Sequence, residues 1–590
     1  MRKEKTIKNV IFTLISQIIY ITCGFVIPRI LIKGYGSELY ALTTSISQFL
    51  AYITLLESGV GLVVKSILYK PIAEKNENEI SSILYSTQKF FNKIALAFVI
   101  YVIILCIFYP MTKSASIFDN SLTISLIVII ALSTFFEYFI GMIYKLFLQA
   151  DQKSYVISII QVITYIINVI FILGLTYLKF DIRIVKLASS LIFILRPIIQ
   201  ILYVRKHYNI NLKECDRNFV IPSKRDGLSQ HIAGIINTNT DVMLLTMFSN
   251  MANVAIYSVY MMIVSSITTL INSFTTGTDA MFGDMYAKNE KRKLVQVFDV
   301  YESIYMMIIT IIFACTVVLI VPFVSVYTMG IEDVNYIQKL FAFLLVTAYF
   351  CQAIKSPYNS LAFDAGKFRE TKKESWIEVC INMIISIALI SKNGIVGVAI
   401  GTLCSVIYRG ITFVKYISKK ILERKIWISI KKIILCVLQY LSIYFICKYI
   451  KIEISSYLDW IIYAIVVLGI STTIVGITTV IFDKKIITNV KDLLKEENRI
   501  IDVSWVEEKQ ASYNVDIEIS ANDRSGLLAD ITKALSTAKA NIVGINAKTG
   551  KDRIAIIELT LETKNIDELN SILKAVRKVD SVYEVTRKKV

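Results

Sequence analysis

Apolar stretches of about twenty or more residues recur along the first 482 positions of this chain, separated by short polar turns. Each is long enough to cross a hydrocarbon layer of about 30 Å as a helix. They fall near 7–32, 39–66, 90–110, 121–148, 154–178, 183–204, 228–248, 252–282, 302–327, 336–363, 374–391, 394–417, 430–449 and 457–482, which predicts about fourteen spans. After Phe482 the pattern changes to a charged stretch, 483–511, containing Lys491-Asp-Leu-Leu-Lys-Glu-Glu and read as a linker. Alternation in Val515-Asp-Ile-Glu-Ile then predicts a strand, Asn522-Asp-Arg-Ser-Gly526 a turn, and the spacing from Leu527 to Leu535 a helix. Strands at 542–547, 553–562 and 582–586 and a helix near 566–577 complete the order βαββαβ, which is ferredoxin-like.

The polar turns carry an orientation. Basic connections alternate with nearly neutral ones: Arg2/Lys3/Lys5, Lys70/Lys75/Lys89, Arg205 to Arg225, Lys288 to Lys293, Lys367 to Lys373 and Lys415 to Lys425 are the basic set. Lysine and arginine are retained on the cytoplasmic side, so both termini and the tail are expected there. Asp181 to Lys186, with Arg183 and Lys186 inside it and Lys179 just before it, is the exception. The expected divisions are 1–205 and 227–417 as two membrane lobes, 206–226 as the loop between them, 418–482 as an extra helix pair, 483–511 as linker and 512–590 as the soluble domain. The two lobes open alike, each with a polar turn before a helix flecked with Ser and Thr, as in transporters built from internal repeats.

A hydrophobic fraction of 55% and a mean hydropathy of +0.60 exclude a soluble protein of this length. The net charge of +18 sits in the inter-helix clusters and does not point to nucleic acid. Nine scattered cysteines and two histidines, His207 and His231, form no disulfide frame or metal spacing. With no phosphate loop, no HExxH and no hydrolytic triad, neither enzyme nor cofactor is expected, and transport would draw on an ion gradient or on the cargo's own. The first apolar stretch lacks a small-residue cleavage site and is expected to remain as a span.

Ionisable groups inside spans are costly and therefore candidates for function. The basic ones are Arg29, Lys65, Lys145, Arg196, Lys355 and Arg409, and the acidic ones Glu57, Glu137, Asp241, Asp279 and Glu378. Arg29, Lys65 and Lys145 lie near enough to helix ends to snorkel instead. Arg196 and Arg409 lie deeper, with cavity lining and interhelical ion pairing as competing roles. Asp241 ends the polar run Asn237-Thr-Asn-Thr-Asp241, which at membrane depth is not expected to face lipid. The set expected to line a cavity is Arg29, Glu57, Lys145, Arg196, Asp241, Lys355 and Arg409. Its excess of cations suits an anionic cargo such as a pyrophosphate or uronic acid.

Gly24-Phe-Val-Ile-Pro-Arg29, Tyr35-Gly-Ser-Glu-Leu-Tyr40, the run from Ser45 to Gly61, Leu148-Gln-Ala-Asp-Gln-Lys153 and Gly394-Ile-Val-Gly-Val-Ala-Ile-Gly401 resemble bacterial oligosaccharide flippases. These are the O-antigen flippases of the superfamily that also contains multidrug exporters. The resemblance covers about 1–480. It implies an all-α polytopic protein with two six-helix lobes around a V-shaped cavity, in the bacterial cytoplasmic membrane. The implied cargo is a polyprenyl-pyrophosphate-linked oligosaccharide, with membrane lipid as the other partner. Drug-exporting relatives often carry a carboxylate in the first helix, and Ile7 to Ile32 has none. The tail, through Arg499-Ile-Ile-Asp-Val-Ser-Trp505, the run from Val515 to Asp530, and Val543-Gly-Ile-Asn-Ala-Lys548, resembles the C-terminal ACT domain of RelA/SpoT-type (p)ppGpp synthetase/hydrolases. By position, Asp523, Gly526 and Asn541 would then hold an amino acid between paired copies, although an empty, purely structural domain is the competing reading. Other readings of the whole chain are a drug exporter, a membrane-anchored ACT regulator, or two parts joined by a gene-calling error.

Overall fold

The computed structural model describes residues 2–482 and 513–587, except 58, 211, 213–214, 217–218, 220–227, 451, 453, 539, 551, 553 and 564–565. The expected linker over 483–511 and most of the expected loop over 206–226 lie outside the described residues. Contacts divide the chain into two compact units, Met1–Asn489 and Val490–Val590.

The first unit is a set of long apolar helices. Thirteen described helices are long and apolar enough to span a membrane, and a shorter apolar stretch, Ile232–Phe248, adds to them. The elements are α1 (Arg2–Tyr35), α2 (Ser37–Ala51), α3 (Thr54–Glu57), α4 (Val60–Glu74), α5 (Glu77–Phe108), α6 (Asn120–Phe136), α7 (Met142–Ala150), α8 (Ser154–Tyr177) and α9 (Ile182–His207). The second half of this unit holds α10 (Leu228–Phe248), α11 (Met251–Ala287), α12 (Lys291–Tyr327), α13 (Lys339–Asp364), α14 (Phe368–Asn393), α15 (Ile395–Tyr416), α16 (Trp427–Lys448) and α17 (Tyr457–Phe482).

One of the expected spans is broken beside the site described below, and another carries a π-helical bulge there. The stretch expected as one helix over 39–66 is three pieces, interrupted before Gly59, whose φ of 82° is left-handed backbone that glycine adopts without a side-chain clash. Between α6 and α7 the chain makes a π-helical turn, Glu137–Gly141, of the kind common at functional sites. Helices α14 and α15 pack most closely of all. A Cβ at Gly401 would stand 2.2 Å from Ser386 Oγ, and one at Gly397 would stand 2.7 Å from the Leu389 carbonyl carbon. This small-xxx-small spacing lets two helix backbones meet where lipid supplies no hydrophobic drive between them.

The second unit contains β1 (Tyr513–Asn522), α18 (Leu527–Thr537), β2 (Asn541–Thr549), β3 (Ile554–Thr563), α19 (Ile566–Val576) and β4 (Val582–Arg587). Its antiparallel sheet has the order β2-β3-β1-β4. Alternate residues of β3, Ala555, Ile557, Leu559 and Leu561, are buried with Leu527, Ile531 and Leu535 of α18 and Leu569, Ile572 and Val576 of α19. The helices thus cover one face of the sheet, the period-2 reading of the strands realised as packing.

Candidate functional site: a cavity between the two helix sets

A cavity of about 1150 Å³ opens between α3, α4 and α7 on one side and α10, α11, α13 and α15 on the other. Among the described residues lining it are four cations, Lys65, Lys145, Lys355 and Arg409, and a single carboxylate, Glu57. Gln149, Asn239, Asn272, Gln352 and Asn359 add uncharged hydrogen-bonding groups.

The wall on the side of α13 to α15 is built around one buried carboxylate. Glu378 of α14 accepts from Lys355 Nζ of α13 at 2.8 Å and, through its other oxygen, from Arg409 of α15. The glycine contact between α14 and α15 allows this approach. Arg409 Nη2 also donates to Asn359 at 3.3 Å, its guanidinium carbon stands 5.0 Å from the Phe413 ring centre, and its buried Nε has no acceptor among the described residues. Two cations sharing one carboxylate leave one positive charge unbalanced at the cavity wall. On the opposite wall Lys145 donates to Glu137 at 2.7 Å, and the Tyr138 hydroxyl donates to Glu57 at 2.9 Å, both partners coming from the π-helical turn.

Four of the seven expected lining residues, Glu57, Lys145, Lys355 and Arg409, therefore do line the cavity, and the structure moves the other three elsewhere. Arg196 lies inside the first helix set, with its guanidinium carbon 4.5 Å from the Tyr165 ring centre and 4.2 Å from that of Phe193, and with Nε donating to Thr164 at 2.8 Å. Its depth in the sequence signalled burial, and two aromatic faces and one hydroxyl hold the guanidinium there, with Nη2 left without an acceptor among the described residues. Asp241 is enclosed among α10, α11, α14 and α15. It accepts from Tyr257 at 2.8 Å, Thr402 at 3.0 Å and Asn382 at 3.4 Å, so the polar run ending there stitches helices together. Arg29 lies in a separate pocket with Tyr327 and Tyr457.

Glu378 and Lys65 were visible as ionisable residues but not as parts of the site. Glu378 is identified only by partners 23 and 31 residues away on other helices, a pairing no local pattern encodes. Another buried network, Glu302 with Arg424, Lys432, Ser429 and Tyr358, joins α12 to α16 away from the cavity.

The cavity faces the end of the unit where α1 begins, and the opposite end is closed by hydrogen bonds between the two helix sets. Ser37 N and Oγ donate to Asp333 at 2.7 and 2.8 Å, Tyr336 donates to Ser37 at 2.7 Å, Ser45 and Thr246 share a bond of 2.6 Å, and Tyr327 donates to the Phe25 carbonyl at 2.7 Å.

In the second unit, Asp523 and Gly526 occupy the turn after β1, with Gly526 at φ 89° before α18. Asn541 opens β2 and donates to Glu562 at 2.6 Å. Glu562 pairs with Asn514 at the start of β1, whereas Asn522 at its end pairs with Ile554. Eight residues of β3 at about 3.3 Å each separate those two ends. One copy therefore does not bring Asn541 to the other two residues.

A model of the polysaccharide biosynthesis protein family matches residues 6–278, and one of the ACT domain matches residues 509–587. Among solved structures, the chain is similar to the lipid II flippase MurJ in an inward closed conformation, with a TM-score of 0.56 and 16% identity over 82% of this chain and 100% of that one. It is also similar to a multidrug resistance MATE family transporter in an inward-facing conformation, with a TM-score of 0.51 and 14% identity over 68% and 94%. At such identities the likeness is one of fold. Two curated relatives match the tail. The GTP pyrophosphokinase of Streptomyces antibioticus is 39% identical over 99 residues, 17% of this chain and 12% of that protein. The bifunctional (p)ppGpp synthase/hydrolase RelA of Mycobacterium tuberculosis is 39% identical over 100 residues, 17% and 14% of the two chains. The chain thus spans about an eighth of the length of these relatives, and the match is confined to the ACT region. Residues 6–278 thus match the polysaccharide biosynthesis protein family and residues 509–587 the ACT domain, and the multi-pass membrane unit shares its fold with the MurJ flippase and a MATE family transporter.

Proposed function

We propose that the membrane unit is a flippase that moves a polyprenyl-pyrophosphate-linked oligosaccharide, the repeat unit of a surface polysaccharide, across the bacterial cytoplasmic membrane. Both termini lie on the cytoplasmic side in this reading. The observation that carries it is the cationic wall formed by Lys355 and Arg409 around Glu378 in a cavity closed at one end. A guanidinium and an ammonium held in place by a shared carboxylate present fixed donors to a pyrophosphate, and the low dielectric of the site strengthens their attraction. Gln149, Asn239 and Gln352 offer sugar hydroxyls both donors and acceptors, while the polyprenyl tail stays in lipid. The closed far end and open near end describe one state of an alternating-access cycle.

The ACT domain would regulate this transport by binding an amino acid between two copies, since Asn541 of one copy needs Asp523 and Gly526 of another. The RelA-like match brings no catalytic region with it, so neither synthesis nor hydrolysis of a nucleotide is part of the reading.

Proteoliposomes carrying a fluorescent lipid-linked oligosaccharide test the transport. The wild type is expected to flip the pyrophosphate form and not an analogue with a neutral linkage. Each of Lys355→Gln and Arg409→Gln should slow flipping at least about tenfold, the effect of one charge-assisted hydrogen bond of 1.5 kcal/mol or more. Wild-type rates in both variants, with normal folding, would rule out this cavity as the pyrophosphate site.

A further inference from the structure

Arg29, absent from the cavity, sits in a pocket of about 520 Å³ at the end of α1 away from the N terminus. Its walls are Phe25, Val26 and Ile30 of α1, Leu173 of α8, Phe323 and Tyr327 of α12, and Tyr457 of α17, a largely apolar surface. Lys33, one helical turn beyond Arg29 and exposed, is the second cation lining it, and no carboxylate is among the described lining residues.

The guanidinium is held from one side only. Nη1 donates to the Val326 carbonyl at 3.4 Å, to the Tyr327 carbonyl and to the Tyr457 hydroxyl at 2.6 Å, and the Tyr327 and Tyr457 ring centres stand 5.6 and 5.9 Å from the guanidinium carbon. These contacts fix its plane. Among the described residues, Nε and Nη2 have no hydrogen-bond partner, yet they form the edge of the guanidinium that grips two oxygens of one phosphate. A fixed fork with that edge vacant, a second cation one turn away and apolar walls make up a charged group beside hydrocarbon. An amphiphile with an anionic head satisfies all three, whereas a free anion would leave the apolar walls unused.

We infer that this pocket binds an anionic phospholipid, its phosphate on the Nε–Nη2 edge of Arg29 with Lys33 beside it and an acyl chain against Phe25, Leu173 and Phe323. Because Arg29 joins α1 to α12 and α17, the bound lipid would brace the closed end of the unit whatever the cargo is.

Trp460 reports on the pocket, since its ring centre stands 5.3 Å from that of Phe323. The full-length chain bearing Trp376→Phe, Trp427→Phe and Trp505→Phe would be placed in phosphatidylcholine vesicles with acyl-brominated phosphatidylglycerol or, separately, acyl-brominated phosphatidylcholine. Two cations near a membrane surface favour an anionic head by about tenfold or more, so Trp460 should be quenched at about tenfold less brominated phosphatidylglycerol. Arg29→Gln should reduce that preference about fivefold or more, Arg29→Lys keep most of it, and Lys33→Gln, at an exposed position, reduce it about fivefold. Equal quenching by both lipids in the wild type, or a preference unchanged in Lys33→Gln or in a folded Arg29→Gln, would overturn the assignment. Relief of quenching by inorganic phosphate alone would also overturn it, since the site would then take the free anion.

Discussion

Glu378 and Arg196 illustrate two ways of keeping a charge inside the bilayer, and they respond differently to mutation. Glu378 holds two cations, so Glu378→Ala leaves Lys355 and Arg409 buried beside one another without their common partner. Breaking a buried ion pair in this way costs about 3–5 kcal/mol, and a large fall in the thermal stability of the detergent-solubilised protein is expected. Arg196 rests on two aromatic faces and one hydroxyl. Arg196→Met keeps the volume and loses a cation–π contact, which is worth up to about 2 kcal/mol when desolvated. Stability should drop modestly, and the preference for a pyrophosphate cargo over a neutral analogue should not change. A loss of that preference would return Arg196 to the cavity. Sequence could place both residues at membrane depth, because apolar flanks set depth. It could not tell an aromatic cradle from a cavity wall, because Tyr165 lies on α8 and the choice depends on how α8 and α9 pack.

At the scale of elements, the α14–α15 contact is the one on which the cationic wall depends. Gly401→Val would drive two methyl groups into Ser386 and the Asn382 carbonyl, where even a Cβ is too close. Overpacking of this kind costs about 1–3 kcal/mol or more, and the added separation would pull Arg409 away from Glu378. The expected outcome is reduced thermal stability together with slower flipping, with Gly410→Ala, whose Cβ would meet nothing within 4 Å, as the neutral control. In the ACT domain the edge strand β2 leaves Val543 56% and Ile545 47% exposed. If two copies pair there, Val543→Asp with Ile545→Asp should abolish amino-acid-dependent association of the full-length chain, measured by light scattering in detergent. Unchanged association would direct attention away from β2. The membrane helices were legible because runs of about twenty apolar residues are written locally, and the elements of the second unit because a period of 2 or 3.6 is. The break before Gly59 and the π-helical turn at Glu137 were not, since each answers to packing on a neighbouring helix.

Across the whole membrane unit, the hydrogen bonds at the closed end have to break for the cavity to open on the other side. Ser45 and Thr246 are near enough that Ser45→Cys with Thr246→Cys should form a disulfide under mild oxidation. Flipping should stop in the oxidised protein and return on reduction, whereas flipping at the wild-type rate in the oxidised protein would show that this end does not open. The sequence suggested a two-lobe plan and, from its basic loops, an orientation. Which end is closed could not be read from it, because the contacts that close it join residues more than a hundred positions apart, from Ser114 with Leu245 to Tyr327 with Phe25.

That separation also bears on how the protein is made. The first turn of α2 is capped by Asp333, 296 residues downstream, rather than by Gly36 before it. While the ribosome is still making the second half, the Ser37 amide lacks that acceptor, and the first half should enter the membrane with that end less ordered. Its final shape is set only when the stretch after α12 is delivered, so a truncated product ending before residue 333 should be recognised and degraded as an unfinished membrane protein.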